Sequence, residues 1–357
     1  MPPDTQSPSN SKLWIRIKPL LSLSDHKRPL GYLIISALAV GLPAFMGAWF
    51  DQFAASMLGC MGGMVILYMQ QTEIAHRMMT LATCSFGFAL SFALGVLSSF
   101  DPYLSAATLT LTVFLATAVC RFYSVPPPAS FFFIVAACLA RTLPFDLTLT
   151  AERTGILLFG SMWACLLALG YSFIQSLFNK QTKVKSALHE APQVLAISIE
   201  SAVISLFVSG GYFLALLLEM DNPYWVPIST AAIMQGATFR AIWQRNVHRI
   251  AGTVIGMGIA WVIYSFSPGP WALAALILLL IFIIETLITR NYGLAVIFIT
   301  PITVIFAETT IASSDPTQLL ISRFFDIILG CLIGYLGGWI LHHPRFSQLV
   351  SRLVNNP

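Results

Sequence analysis

The sequence predicts an all-α polytopic membrane protein of about twelve transmembrane helices, arranged as two six-helix parallel repeats. Three observations predict it. Of 357 residues, 57% are hydrophobic and only 10% charged, whereas an average soluble domain carries roughly 25% charged residues. Mean hydropathy is +0.79. Apolar runs long enough to span a bilayer core, about 20 residues each, recur along the chain between charges, prolines and turn residues. The basic residues then fall almost entirely on alternate connections, as the positive-inside rule requires. So few charges could not cover a soluble globule. The composition therefore excludes a soluble enzyme, a disordered chain and a nucleic-acid binder.

The elements follow in order. Residues 1–28 are polar and hold Lys12, Arg16, Lys18, Lys27 and Arg28; they read as a cytoplasmic tail. The next run has no small-residue cleavage site before Asp51 and reads as a retained helix. Charges, prolines and polar clusters cut the first repeat, 29–178, into spans near 30–50, 53–69, 78–98, 103–120, 125–140 and 154–178. A polar cytoplasmic linker, 179–193, follows. The second repeat, 194–342, divides into spans near 194–218, 224–239, 250–266, 270–289, 292–307 and 319–341. Residues 343–357 read as a cytoplasmic tail. With both termini cytoplasmic, 16 of the 19 Lys and Arg face the cytoplasm, all but Arg141, Arg153 and Arg323. The outer loops collect Asp51, Asp101, Asp146, Glu152, Glu219, Asp221, Glu308 and Asp315.

Internal repetition supports the division. His76-Arg77 and His248-Arg249 lie 172 positions apart, Arg121-x-Tyr123 and Arg290-x-Tyr292 lie 169 apart, and Arg153 and Arg323 lie 170 apart, each seven residues before a glycine. Six spans is an even number, so both halves insert with one orientation and relate by an axis along the membrane normal. Transporters place substrate at such a seam, and a channel would place its pore there.

In the second half Pro223-Tyr224-Trp225 opens a span, Gln235 stands ten residues beyond Trp225, and Arg245, His248-Arg249 and Gly252-Thr253-Val254-Ile255-Gly256 follow, then Arg323, Asp326 and Gly330. This pattern, over most of residues 195–340, resembles the fusaric acid resistance-like family, also called the aromatic acid exporter family. The first half matches weakly: Gln52-Phe53 stands where Tyr-Trp would fall, and Thr80 where the Gly of Gly-Thr would. The resemblance implies export of small organic anions, often aromatic carboxylates, across a bacterial inner membrane. It also implies a periplasmic adaptor protein as a partner. Plant anion channels with one six-helix half per subunit belong to the same family, so a homo-oligomer is compatible with it.

The residues can be weighed without the family. Gly252 and Gly256, and Gly330, Gly334 and Gly338, have the spacing that lets helix backbones approach. Arg245, His248 and Arg249 cluster at the cytoplasmic surface, either anchoring to lipid headgroups or forming an electropositive entrance for anions. Arg323 and Asp326 sit three apart inside an apolar span, where charge is costly and faces a bundle interior or a water cavity. They form either a structural salt bridge or, with Arg153, a substrate site that grips a carboxylate. Glu285 and Glu200 either snorkel to the interface or carry protons during transport. Tyr224, Trp225, Gln235 and the Phe131-Phe132-Phe133 run complete the candidates; the aromatics either stack an aromatic substrate or anchor span ends. Matched spans are short or broken by Pro and Gly: the second and eighth, and the fifth and eleventh. Such segments point to a transport site. Six cysteines, each within an apolar run, read as small core residues.

No nucleotide-binding loop occurs, and no histidine spacing suits a metal, so no cofactor, no metal and no enzymatic activity are expected. The leading expectation is an exporter driven by membrane potential or proton exchange. Two alternatives stand beside it: an anion channel on the pseudo-twofold axis, and a non-transporting membrane scaffold or envelope-assembly subunit.

Overall fold

A computed structural model describes residues 22–178, 193–311 and 316–355, with side chains for 22–178, 193–307 and 321–353. The expected linker 179–193 and tail 1–28 fall largely outside the described residues, as does Asp315. Among the described residues all regular structure is helical. There are thirteen α-helices: α1 Leu30–Trp49, α2 Phe53–Gly63, α3 Ile74–Leu97, α4 Pro102–Phe122, α5 Phe131–Ala140, α6 Leu147–Phe178, α7 Val194–Leu217, α8 Trp225–Met234, α9 Phe239–Ser265, α10 Pro270–Leu287, α11 Tyr292–Ile311, α12 Pro316–Leu341 and α13 Pro344–Asn355.

Among the described residues eight helices are long and apolar enough to cross a membrane: α1, α3, α4, α6, α7, α9, α10 and α12. The shorter apolar helices are α2 with its 3-10 extension to Tyr68, α5, α8 and the Tyr292–Ala307 stretch of α11. These are the second and fifth members of each set of six, where Pro and Gly break the sequence. The ten residues of α5 or α8 rise only about 15 Å, half of the roughly 30 Å hydrocarbon core.

Local chemistry sets the ends. Pro102 takes the first turn of α4, and the Asp101 carboxylate accepts from the Leu104 N–H at 2.7 Å, filling one orphan donor. Asp146 caps α6 through the Thr148 and Leu149 N–H groups. The Thr148 hydroxyl, its largest influence, also donates to it and holds its carboxyl below the usual range. Thr238 caps α9, accepting from the Ala241 N–H at 3.2 Å.

That cap corrects the expected ninth span. A division at charges starts it at 250, but the helix starts at Phe239 and carries Arg240, Arg245 and Arg249 on its first three turns. Conversely, the eighth helix stops at Met234, and the fifth starts only at Phe131, because Pro126, Pro127 and Pro128 lack the N–H groups a helix needs. The C-terminal tail contains α13, with Phe346, Leu349, Val350 and Leu353 at i, i+3, i+4 and i+7, the spacing of one apolar face.

The packing pairs recur between the two sets of six. The short α2 lies on α6, and α8 on α12; α3 packs on α5, and α9 on α11; α3 also meets α6, and α9 meets α12. The two sets join through α1 with α10 and α4 with α7, and through α5 with α8 and α2 with α11. Glycine makes the tight crossings. A Cβ on Gly160 would strike the Gly59 carbonyl of α2, and one on Gly330 would come within 2.5 Å of the Val226 carbonyl of α8. At Gly256 the obstruction is the Ile297 carbonyl of α11, also at 2.5 Å. The predicted close approach of backbones is thus realised. Phe132 and Phe133 pack against Phe88, the latter at 5.0 Å between ring centroids, inside the core of the first set. Five of the six cysteines are buried, one is half-buried, and all are free thiols.

Candidate functional site

Polar groups converge inside the second set of helices, between α8, α9, α11 and α12. Arg323, two turns into α12, is 3% exposed. Its guanidinium lies 3.8 Å above the Trp225 ring and donates through Nη2 to the Thr303 hydroxyl of α11. Its Nε and Nη1 have no hydrogen-bond partner. One turn on, Asp326 is 0% exposed, and neither carboxylate oxygen accepts a hydrogen bond. The i, i+3 pairing that the sequence allows is therefore not made. The indole face and Thr303 draw the guanidinium across to α8 and α11 instead. Tyr224, stacked beside Trp225 at 5.2 Å, donates to the Asn222 side-chain oxygen at 3.1 Å, and Asn222 donates to Ser322 at 3.0 Å. Asn222 thereby ties the start of α8 to α12.

Arg249 enters the same region from α9. It is 6% exposed, donates from Nη2 to the Ser229 hydroxyl of α8 at 3.2 Å, and leaves Nε unpartnered. It lies within electrostatic range of Arg323. Its expected place was the cytoplasmic surface. The early start of α9 carries it about 15 Å into the helix, and it turns inward instead. The site then holds two guanidinium groups against one carboxylate, with three N–H donors unused. A dry, low-dielectric site of this kind suits an anion, because a buried donor left unmade is costly.

The other expected site residues lie elsewhere. Gln235 ends α8 and donates to the Pro128 carbonyl at 2.9 Å. It borders a cavity of about 600 Å³ that also touches Arg121, Glu200 and His342. Arg245 donates to the Ala232 carbonyl at 3.1 Å and covers the Tyr292 ring at 5.0 Å, with His248 beside the same ring. Glu200 is ion-paired with Arg121 and Glu285 with Arg28, the two ion pairs among the described residues. Arg153 donates to the Pro144 carbonyl at 3.0 Å; its helix packs on α1, α2 and α3 rather than on α8 or α12. No group of three potential metal ligands occurs among the described residues. Sequence reasoning missed Asn222, Ser229 and Thr303. Uncharged and common in membrane helices, they acquire meaning only from the arginines they meet.

An all-helical fold with many membrane-spanning helices and a buried cationic site defines a polytopic membrane protein. The model of the fusaric acid resistance protein-like family matches residues 209–337, the segment running from α7 to α12 that contains this site. This segment of the chain is therefore similar to that family. The chain is similar to the uncharacterized membrane protein YvaC of Bacillus subtilis (strain 168), at 23% identity over 493 aligned positions covering 98% of this chain and 78% of the relative. That alignment is longer than the chain itself, so YvaC holds inserted residues without counterparts here. The uncharacterized protein YhfK of Escherichia coli (strain K12) is 27% identical over 149 residues, 42% of this chain and 21% of that protein. No solved structure matches.

Proposed function

We propose that the protein exports small organic anions, aromatic carboxylates foremost, across a bacterial inner membrane, with both termini in the cytoplasm. The observation that carries this reading is the buried pair Arg249 and Arg323, with three unused N–H donors and Trp225 beside them. A carboxylate accepts such donors, and an indole face accepts an aromatic ring. The similarity of residues 209–337 to the fusaric acid resistance protein-like family supports an efflux role.

In this reading the two sets of six helices are parallel repeats about an axis along the membrane normal. The recurring order of long and short helices and the recurring packing pairs support it. The division of the basic residues supports the orientation. The anion passes Arg245 and His248, then Arg249, then Arg323 of α12, which covers Trp225 one helical turn nearer the start of α8 than the Ser229 that Arg249 reaches. Efflux is downhill: a monovalent anion leaving a cell that is negative inside gains about 2.3 kcal/mol per 100 mV. Proton exchange through Glu285 or Glu200 would add to this once either carboxyl leaves its arginine. A periplasmic adaptor and a homo-oligomer complete the assembly in this reading.

Proteoliposomes carrying the purified protein and labelled benzoate test it under an imposed potential. Saturable efflux is expected. Arg323→Lys, which keeps the charge but loses the planar fork, should insert normally and export at a small fraction of the wild-type rate. Large single-channel currents would replace the carrier with a channel, and absence of flux would leave a scaffold.

A further inference from the structure

The first set of helices also buries an arginine without a carboxylate partner, and there it borders open space. Arg77, on the first turn of α3, is 5% exposed. Nη1 donates to the Ser172 hydroxyl of α6 at 2.7 Å and Nη2 to the Thr72 carbonyl at 3.0 Å, while Nε has no partner. Arg77 lines a cavity of about 570 Å³, within the roughly 300–1,000 Å³ of small-molecule sites. The start of α1, the segment 67–72 between α2 and α3, the proline run before α5 and the end of α6 enclose it. Lys27 and Arg28 stand in its wall, and among the described residues neither Asp nor Glu lines it. Arg28 is held by Glu285, so the excess positive charge comes from Lys27 and Arg77. Tyr32 and Tyr171 add aromatic surface, and Gln175 an amide.

We propose that this cavity binds a small organic monocarboxylate before transport. The positive charge of the Arg77 guanidinium in the wall holds the carboxylate, Lys27 attracts it at the mouth, and Tyr171 and Tyr32 flank its apolar body. A guanidinium this deeply buried needs a counter-charge, and among the described residues none is paired with it. The role in loading rests on the export reading; the binding event does not.

Equilibrium binding of radiolabelled benzoate to the full chain in phosphatidylcholine nanodiscs tests the assignment, with benzoate efflux measured in parallel. Saturable binding at two sites is expected, the Arg77 site at least tenfold weaker in Arg77→Gln and the Arg249–Arg323 site unchanged there. In Lys27→Gln the Arg77 site should be two- to fourfold weaker at low salt, with the difference vanishing at about 0.5 M salt, where screening is complete within a few ångströms. Arg153→Gln should bind as wild type. Two sites of wild-type affinity in Arg77→Gln overturn the assignment, and retained efflux would then leave the export reading standing. Arg77-dependent binding without any efflux supports the site and sinks the export reading. Loss of benzoate binding when phosphatidylglycerol enters the nanodisc gives the cavity to a lipid headgroup and overturns a free carboxylate. If Arg77→Gln fails to fold, the exposed Lys27→Glu decides: a loss of at least fivefold is expected, and unchanged affinity refutes the proposal.

Discussion

The two sets of six helices share a frame and differ in what the frame holds. In both, short second and fifth helices pack on the sixth and third, and a buried arginine of the third helix, Arg77 or Arg249, donates to a neighbouring serine. In both, a glycine of the sixth helix admits the second helix backbone. The difference lies one layer further out. The second set buries Arg323, Trp225 and Asp326 together. The first has Gln52-Phe53 where Tyr-Trp would fall and Ile156 three residues after Arg153, and Arg153 turns to the Pro144 carbonyl at 3.0 Å. The packing frame tolerates that loss because backbone crossings, not charges, hold it. A charge keeps its place inside a membrane bundle only with a reason beyond packing.

The largest expected difference separates the two arginines. Arg323→Ala removes the guanidinium one turn from the buried Asp326 together with its contact to the Trp225 ring, and should destabilise the protein by about 2–3 kcal/mol. Arg153→Ala should stay within about 0.5 kcal/mol. Denaturant unfolding in detergent reads both. In the double variant Arg323→Ala/Asp326→Ala, folding should recover while transport does not. Near-wild-type transport in that well-folded double variant would reduce the site to a structural pair.

A second test should find the halves alike. Gly160→Val and Gly330→Val each drive a side chain into a facing carbonyl, with an expected cost of about 3 kcal/mol. Thermal unfolding of the two variants should agree closely. If one is tolerated, the crossings of α2 on α6 and α8 on α12 are not equivalent and the repeat reading fails.

Much of the frame was legible because hydropathy and charge act one residue at a time. The eight long spans, the four shorter apolar helices and the glycine crossings all carry a local signature. The site was legible only in part. Arg323, Asp326, Tyr224 and Trp225 stood out as polar or aromatic groups at apolar addresses, and three of the four converge in contact. Arg249 was assigned to the surface because a charge was read as a span boundary, whereas a helix capped by Thr238 carries its arginines inward. Arg77 marked only a repeat, since no sequence pattern encodes the cavity beside it. Glu285 and Glu200 could not be matched to Arg28 and Arg121 from sequence, because each pair bridges helices from different sets.

Those two ion pairs give a smaller test of how the sets are joined. The Glu285 side chain is 5% exposed and that of Arg28 22%, whereas Arg121 and Glu200 are both at 35%. Glu285→Gln should therefore cost about 1–2 kcal/mol, after allowing for the solvent that reaches Arg28. Glu200→Gln should cost no more than about 0.5 kcal/mol, as for other half-exposed pairs. The reverse order would mean that α4 and α7, rather than α1 and α10, form the electrostatic clasp between the sets.

The smallest effect concerns the ring under Arg323. Trp225→Phe preserves an aromatic face but weakens the field that an indole presents to a guanidinium. The expected loss is about 0.5–1 kcal/mol of stability, the scale of a cation–π contact. Transport should respond differently from stability. If the indole holds Arg323 away from Asp326 and keeps its Nε and Nη1 open, Phe lets the guanidinium swing to the carboxylate. The donors that an anion would use are then occupied. Benzoate efflux should fall severalfold in a variant that unfolds almost as wild type does, and adding Asp326→Asn should restore part of it by removing the competing acceptor. Phe53→Trp, placed near the corresponding site of the first set, should change neither quantity, because no buried arginine waits there. Efflux that tracks stability alone in all three variants would make Trp225 a packing residue and leave the two sets of helices differing only in how they fill space.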